Sequence, residues 1–417
     1  MNISKNNFII LFFITILNCI SLSFNSDIFI GITLIANSLA LCFVCRHIKD
    51  LFLLFLLILF INSTIGINIF MINSDFIPYW QKNGLLSSDM NKITANGISL
   101  MIYILLLCIS VRTKFYINKF SDIRLTKSNP YIMFGLAMTL TIILLVGFFT
   151  QVYSRGNTYS SVTNPIYEYS SILMVFMFFY SKGYEEIVKY YLFIYSGFFS
   201  LFFLIIGDRS SVCIILMTLF MLYFKNKYKI KYVLAVSVFG VFLMNFIGII
   251  RNGNFDNFVY RIIERGLYVD TITWAYYASI SIASLYEYVS DSWLFAIGYL
   301  ISFFSGYSNG YTNMAYYASV NFPSLYNQGG GIYSSYFYGM GGYYFVAIGS
   351  IILFLIIDFL YTSKNTYFNI YRILLVSLSF RWYLYNISTL FRGCLVITTI
   401  LLLLCFCFTK MIGDHES

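Results

Sequence analysis

The 417-residue sequence has very little charge: 10% of its residues are Asp, Glu, Lys or Arg, and 59% are hydrophobic. An ordinary soluble domain carries about 25% charged residues. The mean hydropathy is +0.78, and the chain has only 4 prolines. These shortages exclude a water-soluble globular protein and predict an all-α polytopic membrane protein.

Residues that bind metals or form disulfides are also poorly placed. Histidine occurs only twice, and the 8 cysteines lie inside or beside apolar runs. Only Cys42/Cys45 and Cys405/Cys407 are close together, and no histidine follows them at metal-ligand spacing. There is neither a Walker motif nor an H-x-x-x-D pair. The sequence therefore predicts no metal site and no cofactor, and the cysteines are interpreted as small apolar residues.

Long apolar runs are what the sequence has in place of charge. A spanning helix needs about 20 mostly apolar residues, and about 12 runs approach this length. The first follows Lys5 and is interpreted as an uncleaved helix, because no A-x-A site follows it. The runs are 8–24, 28–45, 51–72, 93–111, 131–152, 166–181, 190–206, 211–224, 232–250, 342–361, 371–391 and 393–409.

The basic residues predict the orientation of these spans. With twelve spans, 17 of the 26 basic residues fall on one side, eight fall on the other, and Arg381 lies within a span. The positive-inside rule makes the richer side cytoplasmic, so both termini are expected in the cytoplasm. The net charge of +9 is then a topology signal, and no nucleic-acid partner is expected. Arg381 is expected to pair with Asp358 of the preceding span.

The spans divide the chain into three predicted regions. Residues 1–250 form a membrane region of about nine helices, and residues 342–417 contain three more helices and a short cytoplasmic tail. Residues 251–341 form an outer loop of about 90 residues, a length that usually serves a function. Within it, 258–288 looks helical, and 293–304 is too short to span and is predicted to be interfacial or re-entrant. The Tyr and Trp residues of 268–343 fit sugar stacking and an interfacial belt equally.

The outward basic residues differ in type from the cytoplasmic ones. Six of the eight are arginine, whereas 13 of the 17 cytoplasmic ones are lysine. Arginine presents a planar fork of donors that matches phosphate or carboxylate oxygens. The bias therefore indicates an anion-binding surface, with snorkelling at helix ends as the alternative. The six are Arg155, Arg209, Arg251, Arg261, Arg265 and Arg392.

Arg209 is the most distinctive of these residues, because it lies between Gly207-Asp208 and two serines. Glycine permits a tight turn, and Ser210 and Ser211 are candidate caps for the next helix. A cation beside the free N–H groups of a helix N-terminus forms an anion site. The alternative is an Asp208–Arg209 ion pair that only holds the turn.

The outer loop adds further candidates. Arg261, Glu264 and Arg265 are spaced i, i+3 and i+4, so they share one helical face that can grip a diphosphate. An ordinary surface ion pair is the alternative. Asp270 and Glu287 are candidate general bases, and nothing in the spacing selects between them.

A glycine-rich stretch leads from the outer loop into the next span. Its candidate substrate-binding residues are Gly329, Gly330, Gly331 and Ser334. Glycines here allow the backbone to approach a ligand closely. A flexible loop end is the alternative interpretation.

The sequence resembles the O-antigen polymerase (Wzy) and oligosaccharide repeat unit polymerase families. The likeness consists of about twelve spans, a large outer loop before the last few, Gly207-Asp208-Arg209 at a helix end, and the glycine run Gly329–Ser335 before a span. It covers the whole chain in architecture but few residues in motif. Many relatives follow the glycine run with an acidic residue, whereas Ser334–Tyr338 contains none.

The resemblance implies a GT-C-like fold and metal-independent glycosyl transfer on the periplasmic face of a bacterial inner membrane. An undecaprenyl-diphosphate-linked chain would be the donor, and a second lipid-linked repeat unit the acceptor. Arg209, Arg251 and Arg265 would stabilise the diphosphate leaving group, and Asp270 or Glu287 would deprotonate the acceptor.

The same resemblance implies substrate-binding roles for the remaining outward arginines, Glu264 and the glycine stretch. A polysaccharide chain-length regulator is a further candidate partner, besides the bilayer itself. The alternatives are a lipid-linked oligosaccharide flippase, which needs cations along a cavity between spans, and an O-antigen ligase, which needs an outward histidine. His47 and His415 both fall on the predicted cytoplasmic side.

Overall fold

The computed structural model describes residues 5–72, 88–112, 129–150, 165–206, 208–223, 270–307, 310–322, 330–363 and 365–413. Every regular element in these ranges is helical, which confirms the all-α class. Seven helices are long and apolar enough to cross a membrane, and five more are apolar but shorter. The predicted span at 232–250 lies outside the described residues, so twelve complete spans remain a prediction.

The helices are named here in chain order. They are α1 (Lys5–Ser21), α2 (Ser26–His47), α3 (Leu51–Ile72), α4 (Ser88–Val111), α5 (Pro130–Thr150), α6 (Pro165–Phe179), α7 (Glu185–Ile206), α8 (Arg209–Tyr223), α9 (Asp270–Tyr288), α10 (Leu294–Ser305), α11 (Met314–Asn321), α12 (Tyr333–Thr362), α13 (Phe368–Ser377), α14 (Ser379–Trp382) and α15 (Thr398–Gly413). A 3-10 turn occupies Gly310–Thr312, and a π-helix occupies Thr389–Ile397.

The chain forms two compact units. Unit 1 comprises Met1–Ile117, Val269–Lys364 and Trp382–Thr389. Unit 2 comprises Asn118–Tyr268, Asn365–Arg381 and Leu390–Ser417. Each unit therefore combines segments that are distant in sequence, and this division cuts across the three consecutive regions expected from hydropathy.

Unit 1 is built around α4, which packs against α1 and α12, while α2 packs against α3. The helix α9 also belongs to this core, because it packs against α12, α4 and α3. Small residues such as Ala275, Ala278 and Ser279 are buried along α9 and permit close helix contacts. The later half of the helical stretch predicted for the outer loop thus lies among the spans. Residues 258–269 are outside the described ranges.

The helix α12 contains a reversal of direction at Gly341 and Gly342, the latter with φ +65°. The Tyr333 hydroxyl donates to the Gly349 carbonyl over 3.1 Å, and the ring of Phe337 lies against the Gly349 backbone. In a straight helix residues 333 and 349 would be about 24 Å apart. Residues 333–340 therefore fold back beside 343–349, and their N-terminus lies about 10 Å along the axis from the reversal.

Unit 2 consists of α5–α8 with α13. The helix α6 packs against α5, α8 and α13, and α7 packs against α8. Arg372 in α13 is one of the 17 basic residues that the charge pattern assigned to the cytoplasmic side. It is buried at 1% exposure and donates to Asn369 Oδ1 over 2.9 Å, so it is an internal hydrogen-bond donor of this unit.

The predicted eleventh span, 371–391, is not one continuous helix. The helix α13 ends at Ser377, α14 has four residues, and 383–387 are turns before the π-helix begins. Non-helical backbone is tolerated among membrane helices only where the protein supplies hydrogen-bond partners. Asn386 supplies two of them, since its side chain accepts from the Ser388 N–H and its carbonyl accepts from the Thr389 N–H.

Asp358, the expected partner of Arg381, forms an ion pair within its own unit. In unit 1 the Asp358 carboxylate pairs with Arg112 Nε at 2.6 Å. This contact ties the last turns of α4 and α12 together at the end that the charge pattern assigns to the cytoplasm. Hydropathy alone could not identify the partner, because Arg112 and Asp358 are 246 residues apart.

Candidate functional site

The structure reaches about half of the candidate residues. Arg209 and Asp270 are described by their backbone alone, as the first residues of α8 and α9. Gly330, Gly331, Ser334, Glu287 and Arg392 are described in full. The candidates outside the described residues are Arg155, Arg251, Arg261, Glu264, Arg265 and Gly329.

The turn before α8 is held by Asp208, which is buried at 7% exposure. Its Oδ1 accepts from the Ser211 N–H (3.2 Å) and the Ser210 hydroxyl (3.0 Å), and its Oδ2 accepts from the Ser211 hydroxyl (2.7 Å). Asp208 is therefore the N-cap, and the two serines that were expected to cap the helix support its carboxylate instead. A carboxylate at this position is favoured by the helix dipole, and the turn places Arg209 at the first position of α8.

The glycine stretch of unit 1 forms a buried turn in which three consecutive backbone donors are occupied. The N–H groups of 331–333 donate, in order, to the Tyr336 hydroxyl (3.1 Å), the Ser279 hydroxyl (2.7 Å) and the Tyr383 carbonyl (2.8 Å). These partners come from α12, from α9 and from the turn after α14. The N-terminus of α12 is thus satisfied inside the protein and does not offer these three donors to a ligand.

The glycines of this turn permit close approach between two stretches of backbone. A Cβ on Gly330 would overlap the carbonyl oxygen of Tyr385, and one on Gly331 would lie 2.9 Å from Cα of Ser279. The Tyr336 hydroxyl also donates to the Tyr385 carbonyl. In the described residues the close approach that was expected toward a ligand is made to the protein's own backbone.

Ser334 is the exception in this satisfied turn. Its hydroxyl is buried, with the residue at 1% exposure, and it has no hydrogen-bond partner within the described ranges. Its neighbour Ser335, by contrast, donates to the Ile332 carbonyl over 2.6 Å. A buried hydroxyl without a partner costs about 1–3 kcal/mol. Among the described residues that were predicted to bind substrate, Ser334 thus has an unused side-chain polar atom.

Aromatic residues that the hydropathy analysis did not single out complete this turn. The Tyr383 hydroxyl lies 2.9 Å from the Ser63 hydroxyl on α3, and its ring stacks on Phe60 with centroids 4.2 Å apart. Trp382 meets Phe60 edge-on at 5.6 Å. The available signal was the run 382–386, where two tyrosines, a tryptophan and an asparagine interrupt a predicted span.

The two candidate bases lie at opposite ends of α9. Asp270 begins the helix and the exposed Glu287 lies in its last turn. Their separation of 17 residues corresponds to about 26 Å along the axis. The structure therefore separates them widely, and they cannot act as a carboxylate pair on one substrate atom.

Arg392 lies in the π-helix of unit 2 and is partly exposed. Among the described residues it makes no ion pair. The adjacent Gly393 lies against the ring of Tyr169, and its carbonyl accepts from the Thr398 hydroxyl over 3.1 Å. A π-helix is rare and frequently marks a functional position, so this arginine stays a candidate anion ligand.

Comparison with known proteins gives no relative. No family model matches the chain, and neither a curated protein nor a solved structure matches it. The function is therefore argued from the residues and their arrangement.

Proposed function

We propose that this protein polymerises undecaprenyl-diphosphate-linked repeat units of an O-antigen-type surface polysaccharide at the periplasmic face of a bacterial inner membrane. The proposal rests on the resemblance in plan and motif and on the arginine bias of the outward loops. One structural observation carries it further. The region expected to be an outer loop contributes α9 and residues 333–340 to a bundle of apolar helices. A lipid-linked substrate requires a protein surface close to the bilayer, and helices of this bundle can provide one.

The proposed reaction transfers the reducing-end sugar of the donor to a hydroxyl of the acceptor. The bond between the anomeric carbon and the diphosphate oxygen breaks, and a new C–O bond forms with the acceptor oxygen. Undecaprenyl diphosphate leaves with the bonding electrons, and the acceptor proton passes to a carboxylate. Asp270 and Glu287 remain alternatives for that base. Both termini are proposed to face the cytoplasm.

The arginines have a defined role in this reaction. Negative charge develops on the diphosphate as it leaves, and preorganised cationic donors stabilise that charge. Arg209, Arg251 and Arg265 are proposed to act on the leaving group, with Arg155, Arg261 and Arg392 holding the lipid-linked substrates. The position of Arg209 at the first turn of α8 supports this role, because helix N-termini attract anions.

Arginine-to-lysine substitutions test this proposal. In cells that lack the native gene, each of Arg209→Lys, Arg251→Lys and Arg265→Lys should reduce polymer formation by about 10²–10³-fold. Lys410→Arg, at the predicted cytoplasmic end of α15, is the matched control and should leave the polymer unchanged. Gel separation of the surface polysaccharide measures the result. Ladders of unchanged length and intensity in all three variants would contradict the proposed role.

Deletion of the gene distinguishes the competing classes. A polymerase deletion should leave lipid cores that carry a single repeat unit. Cores without any repeat unit would indicate a flippase or a ligase instead. The presence of full-length polymer in the deletion strain would rule out all three functions for this protein in that pathway.

A further inference from the structure

An aromatic cluster covers one surface of unit 1, and we call it the aromatic platform. It consists of Tyr288, Phe295, Tyr311, Tyr317 and Phe322. Ring centroids are 5.0 Å apart for Phe295–Tyr311 and Tyr311–Tyr317, and 5.4 Å apart for Tyr288–Phe322. The members come from the end of α9, from α10, from the 3-10 turn and from the region of α11. Side chains from four segments thus form one contiguous cluster, with Phe295 fully buried in it.

The platform is held in place by specific contacts beneath it. A Cβ on Gly298 of α10 would overlap the carbonyl of Tyr311, so only glycine lets the 3-10 turn lie on α10. The N–H of Met314 donates to the Tyr299 hydroxyl over 3.3 Å. A hydrogen bond with Tyr311 raises the pKa of Tyr317 and links these two rings. The rings are therefore positioned before any ligand arrives.

The helix α10 separates the platform from a second, purely apolar surface. Its outward face exposes large apolar side chains, including Leu300 at 57% and Phe304 at 78%. Its opposite face carries Phe295 and Gly298 toward the platform. The outward face has the character of an interfacial helix that lies against lipid. The platform packs against the opposite face of α10, and three of its five members are tyrosines, which carry a polar hydroxyl.

The charge around the platform argues against an anionic ligand. Residues 286–322 contain Glu287 and Asp291 but no Lys, Arg or His, and both acids are exposed. A phosphate would meet two carboxylates and no cation here. A neutral sugar would meet aromatic faces for its C–H groups and carboxylates that accept from its hydroxyls. Tyr288 and Tyr311 are 53% and 37% exposed and are therefore accessible to it.

We infer that the aromatic platform binds the glycan portion of the lipid-linked substrate by stacking sugar rings on Tyr288 and Tyr311. This inference rests on the proposed function, because that function supplies the glycan. All five members of the platform belong to unit 1.

Glycan binding to the purified full-length protein in detergent tests the inference. The probe is the oligosaccharide repeat unit released by mild acid from the surface polysaccharide of cells that carry the gene, labelled at its reducing end. Tyr288→Ala and Tyr311→Ala should each weaken binding about tenfold, as truncation of a central aromatic contact does. Tyr311→Phe should retain most of the binding. Tyr344→Ala removes a tyrosine that is 85% exposed but outside the platform, and it should change nothing.

A pair of tryptophan variants separates a sugar surface from a lipid surface. Tyr311→Trp and Phe304→Trp are compared in bilayers that contain brominated phospholipid. Quenching should affect Trp at position 304 and spare Trp at position 311. Equal quenching of both would overturn the inference and identify the platform as a membrane contact.

Two further results would also overturn the inference. One is wild-type protein that does not bind the probe. The other is Tyr311→Ala protein that binds it normally while its thermal unfolding matches wild type. Neither result bears on the polymer ladders of the deletion and complemented strains, so a failed platform and a failed polymerase assignment remain distinguishable.

Discussion

Two described turns, one in each unit, satisfy their backbone polar groups in different ways. In unit 2 the turn before α8 is capped locally, with Asp208 and its neighbouring serines within four residues. In unit 1 the turn at 330–333 depends on partners from α9 and from the segment after α14. The irregular backbone of this second turn is therefore a product of long-range contacts. Such backbone among membrane helices usually lines a functional region.

The two units also differ in the side chains that they offer to a substrate. Residues 286–322 of unit 1 provide tyrosines and carboxylates, whereas Arg209 and Arg392, two of the arginines predicted to face outward, lie in unit 2. Tyrosines and carboxylates suit a neutral ligand, whereas arginines suit an anion.

The largest expected effect comes from breaking the turn of unit 1. Gly330→Ala should lower the free energy of unfolding by about 2–3 kcal/mol, because its Cβ overlaps the Tyr385 carbonyl and overpacking costs this much. The matched control is Gly31→Ala in α2, where no atom lies within 4 Å. Thermal unfolding of the purified protein in detergent measures both. Equal stability of the two variants would show that the buried turn is not tightly packed.

A smaller effect is expected from the local cap of unit 2. Asp208→Ala should lower the free energy of unfolding by about 1–2 kcal/mol, because the N-cap of α8 loses three hydrogen bonds at once. Ser210→Ala removes one of these bonds and should cost about 1 kcal/mol or less. The rate of amide hydrogen exchange in the first turn of α8 measures this loss of stability locally. If Ser210→Ala were as damaging as Asp208→Ala, the carboxylate would not be the main cap.

The smallest effect concerns a single bond in unit 1. Tyr383→Phe removes the hydroxyl that meets Ser63, and hydrogen bonds between membrane helices average about 0.6 kcal/mol. Ser63 keeps its own bond to the Phe60 carbonyl at 2.6 Å, so little further loss is expected. A double-mutant cycle with Ser63→Ala measures the coupling. A coupling near zero would mean that the pair of hydroxyls adds nothing to the stacking on Phe60 and the backbone bond to Tyr333.

Hydropathy predicted those helices whose burial is uniform along their length. The run 51–72 is confirmed as α3, Leu51–Ile72, and the short piece 293–304 is confirmed as the separate helix α10. The prediction of one continuous span over 371–391 was wrong, because the high mean hydropathy of this run conceals Tyr383 and Tyr385. The backbone carbonyls of these two residues accept hydrogen bonds from α12. The helix α9 was predicted, but its burial was not, since its mixed polar and apolar residues resemble a surface helix.

The candidate site likewise has features that the sequence shows and features that only the structure shows. The arginine bias and the Gly-Asp-Arg motif are visible in the chain alone, because charge and side-chain geometry are properties of single residues. That the glycines contact Tyr385 and Ser279, and that five aromatic side chains form one platform, depends on distant segments meeting. The cap of α8 by Asp208 is local by contrast.

The sequence by itself determined that this protein is a helical membrane protein, because too few charged residues exist to cover a soluble surface. The distribution of its arginines likewise led to the prediction of an anion-binding surface. Only the tertiary structure decided which helices are interrupted and what meets at each interruption. A broken helix among apolar spans is stable only when particular groups elsewhere in the chain satisfy its backbone, and local sequence does not specify those groups.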